Sequence, residues 1–457
     1  MFLVVVSFVL IVAGTFLDGI AMMFIIVSLF LPAIRLLGID PIHFAMVVII
    51  CWGIGQQTPP VGAALFITSV IARVDVLTPD PIQYTLYLCH VHRPGTGDSV
   101  SRNRCPVDSQ SPGTLTFRRS QMKHNRFFDV IYTHTEGEPT CIVHSGIFYP
   151  PNSDILEKRR FLEKHYDWLR NGLMREPRGH HHMFGVFLTP PGLPDTHAGM
   201  IWCDGDRFVD MCGHGTIALS MALVFHDLIP SCTGTGVIRY ESTAGLVTAH
   251  VRQEGGYVHG ASFENVPAFV EAQDVPVELP GYGELKADVV FGGNYFGIIK
   301  WPDKDLRISP ETGSAFAELG LMAKPQLNEK VNVQHPEHPH IDYINFVTFW
   351  HEPLLEGSLY RNVHVFSDGK CDRSPGGTGT SAMMAMLEAR GEINVHQRIR
   401  SEGLLGSGQF GGELVREVTV VGKRAVVPVV GGTAHVIGYA KWLFDDNDPL
   451  RDGFIIQ

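Results

Sequence analysis

The chain has 457 residues, 36 Lys and Arg against 47 Asp and Glu, and a net charge of -11. That acidic balance argues against a general nucleic-acid binder, whose basic face must release counterions, and a hydrophobic content of 45% excludes a mainly disordered protein. The length exceeds one compact core and implies two or three domains. The eight cysteines form no CxxC pair and read as mostly reduced thiols of a cytosolic compartment.

Residues 1–75 carry five charged side chains, Asp18, Arg35, Asp40, Arg73 and Asp75. Apolar runs cover 2–17 and 20–37, with shorter stretches at 43–55 and 61–71. A membrane helix needs roughly 20 apolar residues to cross about 30 Å of hydrocarbon. Residues 1–76 are therefore expected to form an all-α segment with two or three membrane helices. Met1-Phe2 offers no positive n-region, so this is not read as a secretory signal. The segment Gly38-Ile39-Asp40-Pro41, together with Phe16-Leu17-Asp18, Leu31-Pro32 and Gln57-Thr58-Pro59-Pro60-Val61-Gly62, resembles the end of the large permease subunit of TRAP-type (tripartite ATP-independent periplasmic) transporters. That resemblance implies discontinuous hairpins near a transport path, where irregular backbone is tolerated inside protein. A fragment cannot build a multi-helix transporter, so attachment to a membrane is expected here, with transport by this chain alone the least favoured function.

Residues 77–120 contain Thr78-Pro79-Asp80-Pro81 and Arg93-Pro94-Gly95 and show no sustained period of 2 or 3.6. They read as an irregular linker. Cys89, His90 and His92 have no fourth ligand at a zinc spacing.

Residues 121–457 alternate apolar and polar positions between Gly and Pro breaks. Strands are predicted at 128–132, 185–188, 237–240, 246–251, 288–291, 346–349, 363–366 and 418–420. Helices are predicted at 155–168, 216–225, 310–321 and 380–390. Many strands and few helices predict an α+β domain. Within it, Cys212-Gly213-His214-Gly215-Thr216-Ile217-Ala218 and Gly376-Gly377-Thr378-Gly379-Thr380-Ser381-Ala382 align without gaps. This internal repeat predicts two similar lobes, each with a glycine-rich turn at a helix N-terminus.

Free N–H groups and the helix dipole make such a start attractive to anions, and glycine lets backbone approach a ligand closely. Two starts facing one cleft would clamp a carboxylate. The same field is expected to lower the pKa of Cys212 and make it a thiolate base for a proton α to a carboxyl group. The bland alternative is a pair of ordinary caps with Cys212 as a small buried hydrophobe. No phosphate-loop lysine follows either turn. His180 and His182 could face one side of an extended segment, but they lack a third ligand, and a loop role is expected. Glu138 is expected to be a structural ion-pair partner.

His134-Thr135-Glu136-Gly137-Glu138-Pro139, Glu176-Pro177-Arg178-Gly179-His180, Met211-Cys212-Gly213-His214, Phe291-Gly292-Gly293-Asn294 and Asp372-Arg373-Ser374-Pro375, with the ending DNDPLRDGF at 446–454, resemble the proline racemase family. That family also includes hydroxyproline epimerases and trans-3-hydroxy-L-proline dehydratases. The resemblance implies two pseudo-symmetric α/β lobes, like those of diaminopimelate epimerase, with the site between them. It implies a proline or hydroxyproline substrate and neither pyridoxal phosphate nor metal. By position it makes Cys212 the first catalytic cysteine, with Gly213 and His214 contacting substrate from one lobe and Asp372, Gly377 and Thr378 from the other. Asp372 could hold the substrate ammonium by a charge-assisted hydrogen bond.

The second catalytic residue of the family falls on Gly376, which has no side chain. Glu136 stands where glycine is usual, His182 where aspartate is usual, and Cys371 lies five residues too early to replace the lost thiol. One surviving base favours dehydration of trans-3-hydroxy-L-proline to pyrroline-2-carboxylate. The alternatives are proline racemisation or 4-hydroxyproline 2-epimerisation, and an inactive imino-acid binder tethered to a membrane. The expected partners are an imino acid, the membrane through residues 1–76, a second copy of the chain in a homodimer, and no nucleic acid. The catalytic domain is expected in the cytoplasm, anchored to the membrane unless residues 1–120 are untranslated.

Overall fold

In a computed structural model the chain is described at residues 6, 7, 9–11 and 13, at 28–56 apart from 38, and at 126–456 apart from 230–235, 303–304 and 367–368. The linker expected at 77–120, the apolar stretch at 61–71, and the motifs at 16–18 and 57–62 lie outside the described residues. Two compact units, Met1–Leu115 and Thr116–Gln457, make up the chain.

In the first unit, α1 (Ser28–Leu36) and α2 (Pro41–Gln56) are separated by a break at Asp40. Its Oδ1 accepts the N–H groups of Ile42 and His43 at 2.8 and 2.9 Å, which caps α2. Pro41 takes the first helical position, where a missing N–H is harmless. Ile34, Phe44, Val48 and Cys51 share a small apolar cluster with Val6 and Leu10. Among the described residues no helix is long and apolar enough to cross a membrane. The expectation of two or three membrane helices is not met among these residues.

The second unit is the α+β domain expected from its alternations. Its first lobe contains β1 (Arg126–Thr135), β2 (Glu138–Val143), β3 (Phe184–Thr189), β4 (Ala198–Asp204), β5 (Phe208–Val209), β6 (Val237–Ser242), β7 (Gly245–Glu254) and β8 (Tyr257–Glu264), with α3 (Ile155–His165), α4 (Asp167–Met174) and α5 (Gly213–Phe225). The second contains β9 (Phe269–Leu279), β10 (Gly283–Phe291), β11 (Tyr295–Lys300), β12 (Ile344–His351), β13 (Tyr360–Val365), β14 (Arg398–Glu402), β15 (Gln409–Val420) and β16 (Lys423–Gly432), with α6 (Gly313–Lys330) and α7 (Gly377–Ala389). The last strand, β17 (Ala434–Phe444), returns to pair with β1.

Pairing repeats from lobe to lobe. In the first, β17, β1 and β2 run antiparallel, β2 and β3 parallel, β3 and β4 antiparallel, β4 and β6 parallel, then β6, β7 and β8 antiparallel. The same alternation leads from β9, β10 and β11 through β12, β13 and β14 to β15 and β16. The lobes join where β8 meets β16, with Phe263 opposite Val430.

The helices α5 and α7 are both 13 residues long, apolar on every side, and buried along nearly their whole length. A helix without a polar face must be wrapped by other elements. β1, β7, β8 and β17 pack around α5, and β9, β10, β15 and β16 around α7.

Some boundaries differ from the sequence reading. One helix was expected at 155–168. Two are found, because Tyr166 leaves helical geometry at φ -134° and ψ 13° after α3, whose start is fixed by the reciprocal Asp154–Glu157 capping box. The helix expected at 310–321 begins with a short 3₁₀ turn (Pro310–Thr312) and continues as α6 to Lys330, through Pro325. Fully buried β2 and β4 show no alternation for a sequence pattern to detect.

Candidate active site

The two helix starts meet backbone to backbone. A Cβ on Gly213 would fall 2.4 Å from Gly377 Cα, and one on Gly377 would fall 2.5 Å from Gly213 Cα. Real side chains do not tolerate such distances, so glycine at both positions is what permits the contact. The turn Phe291-Gly292-Gly293-Asn294 packs against both starts. Asn294 Nδ2 donates to Met211 O at 2.6 Å, and a Cβ on Gly292 would meet Thr378 O at 2.7 Å. Thr135 Oγ1 donates to His214 O at 2.9 Å, fixing the first start to β1.

Cys212 is the N-cap of α5, and its Sγ accepts the Gly215 N–H at 3.4 Å. Both ring nitrogens of His214 lie 3.5 Å from that sulfur. His214 Nδ1 is 3.8 Å from Asp372 Oδ2. Burial, helped by nearby His364, lowers the His214 pKa to about 3, so the ring is neutral and this contact is not an ion pair. Asp372 Oδ1 accepts Ser374 N–H at 2.8 Å and Ser374 Oγ–H at 2.7 Å. Burial nevertheless raises its pKa to about 7, against the pull of those bonds.

The Cys212 thiol departs from expectation. Burial pushes its pKa well above the ordinary value, and the Asp372 and Glu138 carboxyls add to the rise. One amide-to-sulfur bond at the helix start opposes this and loses, because desolvation of a fully enclosed thiolate is the larger effect. In the closed site Cys212 is a thiol.

Cys212, His214, Asp372, Gly376 and Thr378 line one cavity between the lobes. Gly213 and Gly377 lie behind its wall at the backbone crossing. The cavity holds about 10 Å³, room for roughly one water. An imino acid therefore requires side chains or lobes to move apart.

Sequence reasoning missed two parts of this wall. Phe184, Phe296, Phe346 and Phe366 form a linked aromatic cluster, with ring centroids 5.0–5.7 Å apart in successive pairs. His364 is the second omission. It is buried on β13, with Nδ1 2.7 Å from Thr348 Oγ1 and Nε2 2.9 Å from Pro375 O. The available signal was a histidine inside the strand predicted at 363–366, next to the polar pair Arg361-Asn362.

The other singled-out residues fall outside the cavity. Cys371 Sγ donates to Gly313 O at 3.2 Å and faces the start of α6. Glu138 is fully buried. Its Oε2 accepts the Arg373 N–H at 2.8 Å, and Arg373 Nη1 is 3.7 Å away. Burial and neighbouring Asp372 still raise its pKa well above the ordinary range. Glu136 sits in the β1–β2 turn at φ +49°, a conformation that explains a preference for glycine there. His180 Nδ1 accepts the His182 N–H at 3.2 Å within its own loop. Arg178 stacks 4.1 Å from the Phe444 ring and donates to Arg451 O, so it fastens the 446–454 ending far from the cavity.

Residues 130–455 match the proline racemase family, and residues 1–88 match the DctM component of the tripartite ATP-independent periplasmic transporter. A 4-hydroxyproline 2-epimerase of Cereibacter sphaeroides is 58% identical over 336 residues, 73% of this chain and all of that protein. A trans-3-hydroxy-L-proline dehydratase of Azospirillum brasilense is 34% identical over 74% of this chain and all of that protein. Among solved structures, a hydroxyproline epimerase from Agrobacterium vitis with bound trans-4-hydroxy-L-proline superposes with a TM-score of 0.68 at 28% identity, covering 72% of this chain and 95% of that one.

Proposed function

The chain belongs to the proline racemase family, and from that premise we propose that it epimerises 4-hydroxyproline at C2. The observation that carries this reading is the thiol of Cys212 at a helix start, enclosed with His214 and Asp372 at the junction of two amide-rich helix N-termini.

In this reading the substrate carboxylate binds the first-turn N–H groups of α5 and α7, at Gly213, His214, Gly377 and Thr378, where the helix dipoles favour an anion. Asp372 holds the ring ammonium. That cation neutralises the carboxyl which raises the Cys212 pKa in the empty site, so substrate binding itself favours the thiolate. Cys212 then takes the C2 proton, and the C–H electron pair spreads into the carboxylate, whose growing charge meets the amide N–H groups. Proton return on the other face gives the epimer.

Dehydration of trans-3-hydroxy-L-proline is the second reading, favoured by the missing side chain at Gly376. Greater similarity to the epimerase than to the dehydratase supports the first. Incubation of the full chain in D2O with each hydroxyproline separates them. Epimerisation yields the C2-deuterated cis-4-hydroxy-D-proline from trans-4-hydroxy-L-proline. Dehydration yields a cyclic imine trapped by o-aminobenzaldehyde. Binding of an imino acid with neither product would contradict both and leave a binding protein.

Residues 1–88 attach the chain to a membrane in this reading, with the catalytic unit in the cytoplasm. Sedimentation of the full chain with membranes after an alkaline wash is the expected result, and recovery in the supernatant contradicts it.

A further inference from the structure

Inversion at C2 needs a proton donor on the face opposite Cys212, and position 376 cannot supply one. Gly376 has φ +75°, a left-handed backbone that disfavours any side chain. A Cβ there would fall 2.2 Å from His364 Cδ2 and 2.3 Å from His364 Nε2. A Cβ on Gly379 would fall 2.1 Å from His364 Cε1 and 2.3 Å from Nε2. One imidazole thus fills the space in front of both glycines, where a side chain of residue 376 would project. Its strand neighbour Thr348, directly opposite on β12, fixes the ring through Nδ1. Pro375 O holds Nε2 beside the start of α7.

The ionisable side chains lining the cavity are Cys212, His214, His364 and Asp372. His214 belongs to the same helix start as Cys212 and touches its sulfur. Asp372 accepts two Ser374 hydrogen bonds and serves the ammonium in the reading above. Two second-lobe groups stand before α7's start, Asp372 with Oδ2 3.3 Å from a Cβ on Gly376 and His364 closer still, and His364 is the one not given to the ammonium. We propose that His364 replaces the absent side chain at Gly376 as the second catalytic acid–base, so that C2 inversion runs between a thiol on one face and an imidazole on the other. This rests on the epimerase reading.

The step balances with one proton shared by the pair. In the working form the sulfur is a thiolate and the imidazole carries the proton. Sγ bonds to the C2 hydrogen, and the C–H pair passes into the carboxylate. That pair then forms a new C–H bond with the Nε2 hydrogen, which leaves Pro375 O for the opposite face, and the products are a thiol and a neutral imidazole whose hydrogen is on Nδ1 with Thr348 Oγ1 as its acceptor. Those are the charges that burial favours before substrate binds, with the His364 pKa lowered to about 4, although beside Pro375 O the resting ring keeps its hydrogen on Nε2 and must shift it to Nδ1. From them the reverse reaction starts, with the imidazole as base and the thiol as acid.

The test uses the full chain with trans-4-hydroxy-L-proline in D2O, following deuterium in both recovered substrate and epimer. For the wild type, early product carries deuterium while recovered substrate stays protiated, the mark of two separate bases. His364→Gln is expected to cut epimer formation by about 10²-fold or more, the usual contribution of a general acid, while recovered substrate now gains deuterium through Cys212 alone. That exchange also shows the variant is folded. In the double variant His364→Ala/Gly376→Cys, space for the new thiol exists, and epimer formation is expected to rise at least tenfold above His364→Ala. Gly376→Cys alone gains nothing, because the imidazole blocks it.

Normal epimerisation by a folded His364→Gln overturns the proposal and leaves the epimerase reading intact. A fall of inversion with no deuterium entering recovered substrate, and no rescue in the double variant, shows a space-filling ring and also overturns it. Cyclic imine without epimer from the wild type overturns both.

Discussion

The two helix starts at the centre of the second unit are built from nearly the same sequence and do different things with it. At α5 the capping position is a cysteine whose sulfur accepts a backbone N–H and sits beside a neutral histidine of the same helix. At α7 it is a glycine at φ +75°, and the histidine beside it comes from a strand instead. Pseudo-symmetry of the backbone therefore does not require symmetry of the chemistry. Each start offers amides to an anion, but the proton-carrying group reaches the first through its own turn and the second through β13. What the repeat preserves is the close crossing of two glycines. What it leaves free is the origin of the reactive side chains.

The crossing is the most sensitive point of that comparison. Gly213→Ala and Gly377→Ala place a methyl against backbone atoms at 2.4 and 2.5 Å. Alanine would gain up to about 1 kcal/mol from helix propensity, but overpacking against backbone costs about 3 kcal/mol and wins. Both variants are expected to lose that stability in urea titrations and to lose turnover. Equal stability to wild type would mean the two starts are not in contact.

The carboxyl between the starts gives a pH signature. Asp372 has a folded pKa raised to about 7 from an ordinary value near 3.8. A raised acid binds more protons folded than unfolded, so its contribution is full below about pH 4 and is lost as pH rises towards 7. His214 and His364 act oppositely. Their folded values of about 3 and 4 make their contribution present above about pH 6.5 and lost on acidification. Melting curves of wild type and Asp372→Asn should therefore diverge between pH 4 and 7, with the variant losing less stability as pH rises. Parallel curves would place Asp372 in an ordinary solvated state.

Smaller effects distinguish the supports of each start. Ser374→Ala removes one hydrogen bond to Asp372 and the acceptor of the Gly376 N–H; the backbone bond from residue 374 to Asp372 remains, and about 2 kcal/mol should be lost in chemical denaturation. It should also raise the Asp372 pKa further, since the Ser374 hydroxyl holds it down. Thr135→Val removes a single neutral bond to His214 O and should cost about 1 kcal/mol by the same measurement. Reversal of that order would mean the first start, not the second, depends more on side-chain support.

Much of this centre was legible in the sequence. CGHGTIA and GGTGTSA announced two helix starts, and the strands with clear alternation, such as 246–251, were found where expected. Fully buried strands were not legible, because Glu138–Val143 and Ala198–Asp204 offer no solvent face to pattern. The Tyr166 break was hidden in a continuous helical period. The charge of Cys212 was misjudged because helix-start electrostatics are local and readable, whereas desolvation depends on what the other lobe places over the thiol. His364 was missed for the same reason, since its partner Gly376 lies in a different element and only the fold brings them together. In the first unit, apolar composition predicted membrane helices, and it did not show the capped break at Asp40 between α1 and α2.

The claim beneath all of this is that the sulfur of Cys212 takes the C2 hydrogen of a bound imino acid. Deuterium entry at C2 during conversion of trans-4-hydroxy-L-proline to its epimer, followed by proton NMR for the full chain and for its Cys212→Ala variant, tests it most directly. The account expects exchange by the wild type and at least a 10³-fold loss in a variant that keeps its melting temperature, since the general base is removed. Exchange at an undiminished rate in Cys212→Ala would contradict it.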